Sequence, residues 1–292
     1  MKNYPQNEIC LGTWKMGGDI SPDHNNDDQR DIHAIQYAID RGITHIDTSE
    51  SYAGGKTEKL IGLALSAFQR DKYFIATKVR EYNLAYENVL QSCLSSLSRL
   101  GIASIDLYYI HKQNPDTPIE DTCEALNLLQ ARGIIRHIGL SNVGIDTIKR
   151  FSQYLEQPIY AVQNQYNLVC RESQYKGVID YCKSNCIRFF AWRPILLSFP
   201  GSKDPMYHTG TYELLDRLAV KYRASNTQIV ARWLIQQAGV SIVFKSSNPT
   251  HIDEILGIND FILSQDDWNN LDQNFPYKIG SGCTANTFYQ LS

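Results

Sequence analysis

Ile35-Gln36-Tyr37-Ala38-Ile39-Asp40-Arg41-Gly42-Ile43-Thr44-His45-Ile46-Asp47 holds one complete passage from helix to strand. Apolar residues recur at helical spacing up to Arg41. Gly42 then stands just past the helix, where a positive φ is needed. A short β-branched run follows and closes on a carboxylate. The same punctuation returns at Leu100-Gly101 and Arg132-Gly133. Working outward, strands are expected over 9–13, 43–47, 73–78, 104–111, 136–140, 159–164, 187–192 and 241–244. Amphipathic helical stretches lie between them, such as 29–41, 85–100, 119–132 and 174–184. The connection from 194 to 240 is long and carries helical patterns over 211–223 and 227–237, and a further helix is expected near 265–273.

Eight strands, each followed by helical material, fit a closed parallel barrel or a doubly wound sheet. No GxGxxG follows an early strand, which tells against the doubly wound dinucleotide fold. The expectation is therefore an α/β chain folded as a (β/α)8 TIM barrel, a single domain over 1–292 with extra helices late in the chain. Its 292 residues suit one barrel, which typically needs about 250.

Composition narrows the function classes. The net charge of −3 and the lack of a basic run argue against a nucleic-acid surface. The seven cysteines are odd in number, scattered and without a CxxC pair, which predicts reduced thiols and a cytoplasmic setting. Residues 2–8 lack the apolar core of a signal peptide, and no apolar run approaches the roughly 20 residues of a membrane span. The pattern leaves the oligomeric state open and is compatible with a monomer.

Polar residues close three consecutive strands: Asp47 the second, Lys78 the third and His111 the fourth, with Tyr52 five residues beyond Asp47. Catalysis in a barrel sits at these carboxyl ends. Taken singly, Asp47 serves equally well as a turn residue, Tyr52 as a half-buried aromatic, Lys78 as a solvated strand end and His111 as a polar tip. Their gathering on one rim singles them out. An ammonium beside a phenol favours phenolate, so Lys78 is expected to depress the pKa of Tyr52. Asp47 would keep Lys78 charged and oriented, and His111 would direct a substrate carbonyl toward the phenol. The site calls for no metal.

Around these residues the chain resembles the aldo-keto reductase family over nearly its whole length. The resemblance is carried by Gly42-Ile43-Thr44-His45-Ile46-Asp47-Thr48-Ser49-Glu50-Ser51-Tyr52, by Asp106-Leu107-Tyr108-Tyr109-Ile110-His111 and by Gly133-Ile134-Ile135-Arg136-His137-Ile138-Gly139-Leu140-Ser141-Asn142. It implies hydride transfer from NADPH, with NADH as the second option, to a small-molecule aldehyde or ketone, with Tyr52 as proton donor. By position it implies that Ser141, Asn142 and Gln163 hold the nicotinamide carboxamide and that Gly12, Thr13 and Trp14 line the cavity. Trp192 would stack on the nicotinamide where tyrosine is common. Arg193 replaces a frequent serine near the pyrophosphate.

Lys245 and Ser246 match the segment that binds the adenosine 2′-phosphate. His251 stands where many NADPH-using members carry arginine, Ile255 fills an asparagine position, and Glu254 is retained near the adenine. The resemblance also implies that a floor hairpin before residue 9 is abbreviated or missing. Trp14, Arg80, Tyr82, Lys112 and the tail 275–292 become candidate pocket walls. Arg80 replaces a tryptophan of some members, which points to a polar or anionic substrate. Two other readings fit the same residues: a lyase forming a Schiff base on Lys78, and a nucleotide-binding regulatory subunit with little turnover, since potassium-channel β subunits share the family's fold.

Overall fold

Inward- and outward-facing residues alternate along each strand, and this pleat decides where every side chain of interest goes. The computed structural model describes residues 9–195 and 209–275. Eight parallel strands close into a barrel in chain order: β1 (Ile9–Gly12), β2 (His45–Asp47), β3 (Phe74–Val79), β4 (Ile105–Ile110), β5 (Ile135–Ser141), β6 (Ala161–Gln165), β7 (Arg188–Trp192) and β8 (Val240–Lys245). All eight fall where the sequence pattern puts them, within a few residues at each end. Gly42, Gly101 and Gly133 have φ of 93°, 66° and 69°, the conformation each turn demands.

Packing distinguishes two compact units. The first comprises residues 10–163 and 245–249. It carries helices α1 (Asp28–Asp40), α2 (Lys56–Leu65), α3 (Tyr86–Leu100), α4 (Ile119–Ala131) and α5 (Ile145–Tyr154). Its inward-facing side chains form tiers. The lowest is aromatic: His45 packs on Phe74 with ring centroids 4.6 Å apart, and His137 stacks on Tyr160 at 4.1 Å. Above it lies Tyr109, for which Gly139 makes room. A Cβ there would stand 2.4 Å from the tyrosine ring, far inside van der Waals contact. The polar rim is the top tier.

The second unit, over its described residues 164–195, 209–244 and 250–275 with Ile9, holds α6 (Glu172–Tyr175), α7 (Val178–Ser184), α8 (Thr209–Tyr222), α9 (Asn226–Ile235), α10 (within Pro249–Leu256) and α11 (Gln265–Asn274). Helix α9 begins with a reciprocal capping box between Ser225 and Gln228.

Two expectations need correction. The helical stretch 174–184 is broken, because Gly177 takes φ 72° and starts α7 afresh. Cys170 is disulfide-bonded, whereas Cys10, Cys93, Cys123, Cys182 and Cys186 are free. Spacing along a chain carries no information on which Cβ atoms meet across a fold, so the pairing was not readable. The expected floor hairpin before residue 9 and the tail 276–292 lie outside the described residues. No helix among the described residues is long and apolar enough to cross a membrane.

Candidate active site

Parallel register places the last inward residues of neighbouring strands side by side. Asp47 pairs with Ala76, Lys78 with Tyr109 and Ser141 with Gln163. His111 follows β4 and is tied by its amide to the Val79 carbonyl at 2.9 Å. Tyr52 is delivered by a tight turn in which Ala53, Gly54 and Gly55 take φ of 48°, 59° and 88°. The Ala53 amide bonds the Asp19 carbonyl at 2.7 Å, which holds this left-handed run in place. The first unit thus brings Asp47, Tyr52, Lys78 and His111 together on one rim.

Lys78 is fully buried. Its ammonium donates to Asp47 Oδ1 at 2.5 Å and to the Thr48 carbonyl at 2.8 Å. It lies 5.4 Å from the centre of the Tyr52 ring and 5.8 Å from that of Tyr109. An ammonium has three protons, and two are taken by Asp47 and Thr48. The third is left for the phenol. Burial pulls the proton affinity of Lys78 down, but the Asp47 carboxylate and the Tyr52 phenol outweigh it, and the net shift is upward. Lys78 stays charged.

Tyr52 departs from expectation. Burial raises its pKa, Lys78 lowers it by charge and by hydrogen bonding, Asp47 raises it, and the balance lies above the ordinary phenol value of 10.0. The predicted lysine effect is present but loses to dehydration and to the carboxylate behind the ammonium. The phenol is therefore fully protonated at neutral pH.

His111 lies edge-on to Tyr52, ring centroids 6.0 Å apart. Burial, then Lys78 and Arg80, push its pKa down to about 3, so the ring is neutral. Its Nδ1 stands 3.1 Å from Ser49 Oγ, a residue that sequence reasoning passed over. Ser49 Oγ also lies 2.9 Å from Ser51 Oγ and 3.4 Å from the Lys78 carbonyl. Ser51 can donate to Ser49 across the 2.9 Å contact, and Nδ1 is then the nearer acceptor for the Ser49 proton than the Lys78 carbonyl. In that arrangement the ring proton sits on Nε2, where it can be donated to a carbonyl. The signal was present in sequence, since Ser49 falls two residues after Asp47.

The amide-bearing residues interlock with this set. Gln163 Nε2 donates to Asp47 Oδ2 at 2.8 Å, which fixes the carboxylate and leaves Oε1 as an acceptor. Ser141 Oγ donates to the Gln163 carbonyl at 2.8 Å. Asn142, at φ 59°, donates from Nδ2 to the His111 carbonyl at 2.9 Å. Asparagine tolerates that backbone better than most residues. Thr13 anchors the end of β1, with its amide and hydroxyl 3.1 and 2.9 Å from the Asp47 carbonyl. Gly12 is buried behind it, and Trp14 is exposed with Lys15 Nζ 4.8 Å from its ring.

Lys245 Nζ donates to Ser247 Oγ at 2.9 Å. Burial lowers its pKa; Asp31 opposes, and Arg30 and Lys15 add to the lowering. The charges of Arg30 and Lys15 thus reach Lys245, with the Asp31 carboxylate opposing them. Ser246 Oγ accepts from the Asn248 amide at 3.0 Å.

In the second unit, Trp192 and Arg193 are half-buried. The Arg193 guanidinium lies 5.9 Å from the Trp192 ring, and its φ is 52°. His251 is exposed on α10. Glu254 is already engaged: its carboxylate accepts from the Ser225 hydroxyl, and its carbonyl from Gln228 at 2.7 Å. Ile255 is a core residue of α10, only 1% exposed, so an asparagine there would be buried.

A nicotinamide fits the donors and acceptors present. Its carboxamide needs both, and Ser141, Asn142 and Gln163 supply hydroxyl, amide and carbonyl groups at adjoining strand ends. A phosphate fits the cations around Lys245.

The model of the Aldo/keto reductase family matches residues 8–274. Aldo-keto reductase YhdN of Bacillus subtilis is 30% identical, covering 89% of this chain and 87% of its own. Glyoxal reductase of the same organism is 33% identical over 82% of this chain and 81% of its own. A Klebsiella pneumoniae aldo-keto reductase solved in complex with NADPH aligns with a TM-score of 0.82 at 26% identity, covering 92% of this chain and 91% of that one.

Proposed function

The chain belongs to the aldo/keto reductase family, and on that premise we propose that it is an NADPH-dependent reductase of small aldehydes and ketones, acting in the cytoplasm as one barrel domain over residues 1–292. The overall change is carbonyl plus NADPH plus a proton to alcohol plus NADP⁺. One observation carries the reading: a charged, fully buried Lys78 with one proton left for a protonated Tyr52, beside a neutral His111.

When bound, NADPH supplies the hydride. Ser141, Asn142 and Gln163 would hold its carboxamide, Trp192 would stack on the ring, and Arg193, Lys245 and Ser246 would face phosphates. Gly12, Thr13 and Trp14 would line the cleft, the exposed His251 would lie beside the 2′-phosphate, and Glu254 would reach adenine only by leaving Ser225. His111 Nε2–H aligns the carbonyl. Tyr52 Oη gives up its proton to the forming alkoxide, and Lys78 holds the phenolate that remains. An alkoxide is a far stronger base than a phenolate, so the donor needs no lowered pKa in this direction. A raised value disfavours the reverse oxidation, which requires phenolate first.

The Schiff-base reading fares worse. A lysine nucleophile must be unprotonated, and Lys78 is held charged by Asp47. One relative is a glyoxal reductase, which makes small dicarbonyls the first substrates to try. The five free cysteines among the described residues support the cytoplasmic placement, and the disulfide at Cys170 counts against it.

The test is NADPH consumption by the purified chain with glyoxal and simple aldehydes, with NADH in parallel. Alcohol is expected in equal amount to NADPH oxidised, with NADH slower. Absence of oxidation above the aldehyde-free blank across the panel overturns the proposal.

A further inference from the structure

Arg80 continues the inward face of β3 beyond Lys78. Thr77 points outward to Glu58, Lys78 inward to Asp47, and Arg80, still extended at φ −78° and ψ 160°, falls on the Lys78 side. Its place is fixed by its own backbone: the amide donates to Glu50 Oε1 at 2.8 Å, and its carbonyl accepts from the Asn83 amide at 3.0 Å. Glu50 Oε1 is thereby given to the loop, where it also receives Asn83 Nδ2 at 3.0 Å.

The guanidinium is treated differently from the other cations near the site. Lys78 is paired with Asp47, and Arg99 with Glu58. Arg80 forms no ion pair among the described residues. Its Nε is shut from solvent with no hydrogen-bond partner among the described residues, and the exposed Tyr82 ring lies 6.0 Å from the guanidinium carbon. A half-buried guanidinium with an unpartnered donor is suited to receive an anion. His111 feels its charge, which puts that donor within electrostatic reach of the reacting carbonyl.

We propose that Arg80 is a specificity-determining residue that grips a carboxylate on the substrate, making carboxylate-bearing aldehydes or ketones the preferred class. The proposal rests on the reductase reading. A planar fork of donors matches a carboxylate in two parallel hydrogen bonds. Two residues of strand separate Arg80 from Lys78, a rise of about 6.6 Å. The carboxylate therefore belongs several bonds from the carbonyl, as in 4-carboxybenzaldehyde, rather than next to it.

The experiment compares 4-carboxybenzaldehyde with its methyl ester, using the full chain and NADPH. The carboxylate is expected to have the higher kcat/KM by about tenfold or more, the usual weight of a charge-assisted hydrogen bond. In Arg80→Met the ratio falls to about 1, with the change in KM. Arg80→Lys retains part of it, because charge survives without the fork. In the wild type, raising salt from about 0.05 to about 0.5 M raises KM for the carboxylate and not for the ester; this arm stands even if the variants fail to fold. Turnover of both aldehydes with no charge preference, or an unchanged ratio in Arg80→Met, overturns the Arg80 inference alone. Turnover of neither overturns the reductase reading and the inference with it.

Discussion

An ion pair with a buried carboxylate lies against each face of strand β3, and the two are built alike. Inside, Lys78 meets Asp47 at 2.5 Å; outside, on the helix side, Arg99 meets Glu58 at 2.6 Å. Both carboxylates are fully answered. Asp47 takes Lys78 and Gln163, and Glu58 takes Arg99 and the Thr77 hydroxyl at 2.6 Å. What differs is the cation. Arg99 turns its remaining reach to Ser96 Oγ at 3.1 Å, within its own helix. Lys78 keeps one proton facing a phenol beside a neutral imidazole. A buried ion pair is therefore no mark of function by itself; the group it leaves available is.

Removing that available group should have the largest effect. Tyr52→Phe keeps the ring and takes away only the proton. A loss of about 10²–10⁴ in kcat/KM is expected, with NADPH binding by fluorescence unchanged. Parental turnover in this variant would make the inner pair as structural as the outer one.

Next come the pairs themselves. Lys78→Met leaves Asp47 buried without its cation, and Glu58→Ala leaves Arg99 without its anion. Each should cost about 3–5 kcal/mol in denaturant unfolding. Only Lys78→Met should also abolish turnover, whereas folded Glu58→Ala should retain most of its kcat. An equal loss of kcat in both would erase the distinction between the faces.

Acid should separate them less sharply. Unfolded His111 binds a proton below its ordinary value of 6.5, whereas the native ring stays neutral down to about 3. Over that window the unfolded state holds more protons, so stability falls as pH falls. Between pH 6.5 and 5 the loss approaches about 2 kcal/mol at most, and partial exposure of the ring reduces it. His111→Asn should flatten this part of the curve. Identical pH slopes for the variant and the wild type would show that the imidazole is not held neutral.

Much of the inner face was legible because strand-end polarity and the β/α alternation are local signals. Asp47, Lys78 and His111 each close an apolar run, and the glycines after α1, α3 and α4 mark where each helix stops. The outer pair was not legible. Glu58 and Arg99 lie on separate helices, and nothing in either helix names its partner on β3. The break at Gly177 was missed because its neighbours keep helical spacing. The net shift of Tyr52 was misjudged because one favourable charge was weighed without the dehydration and the second charge that come with it.

Ser49 sharpens the comparison at its smallest scale. The outer pair needs only to be saturated, but the inner site also needs its histidine proton on the correct nitrogen. Ser49→Ala removes the 3.1 Å partner of His111 Nδ1 and should allow the Nδ1–H tautomer to compete. Tautomers of neutral imidazole are close in energy, so losing one hydrogen bond worth about 1 kcal/mol takes the Nε2–H share from roughly five-sixths to roughly half and should lower kcat about twofold. KM for NADPH should hold. Long-range proton–nitrogen spectra of His111 report the tautomer directly, and Ser49→Thr, which keeps the hydroxyl, should restore both the Nε2–H signature and the rate. If the spectrum of Ser49→Ala matches the wild type while kcat falls, the serine acts by packing, and some other contact sets the imidazole proton.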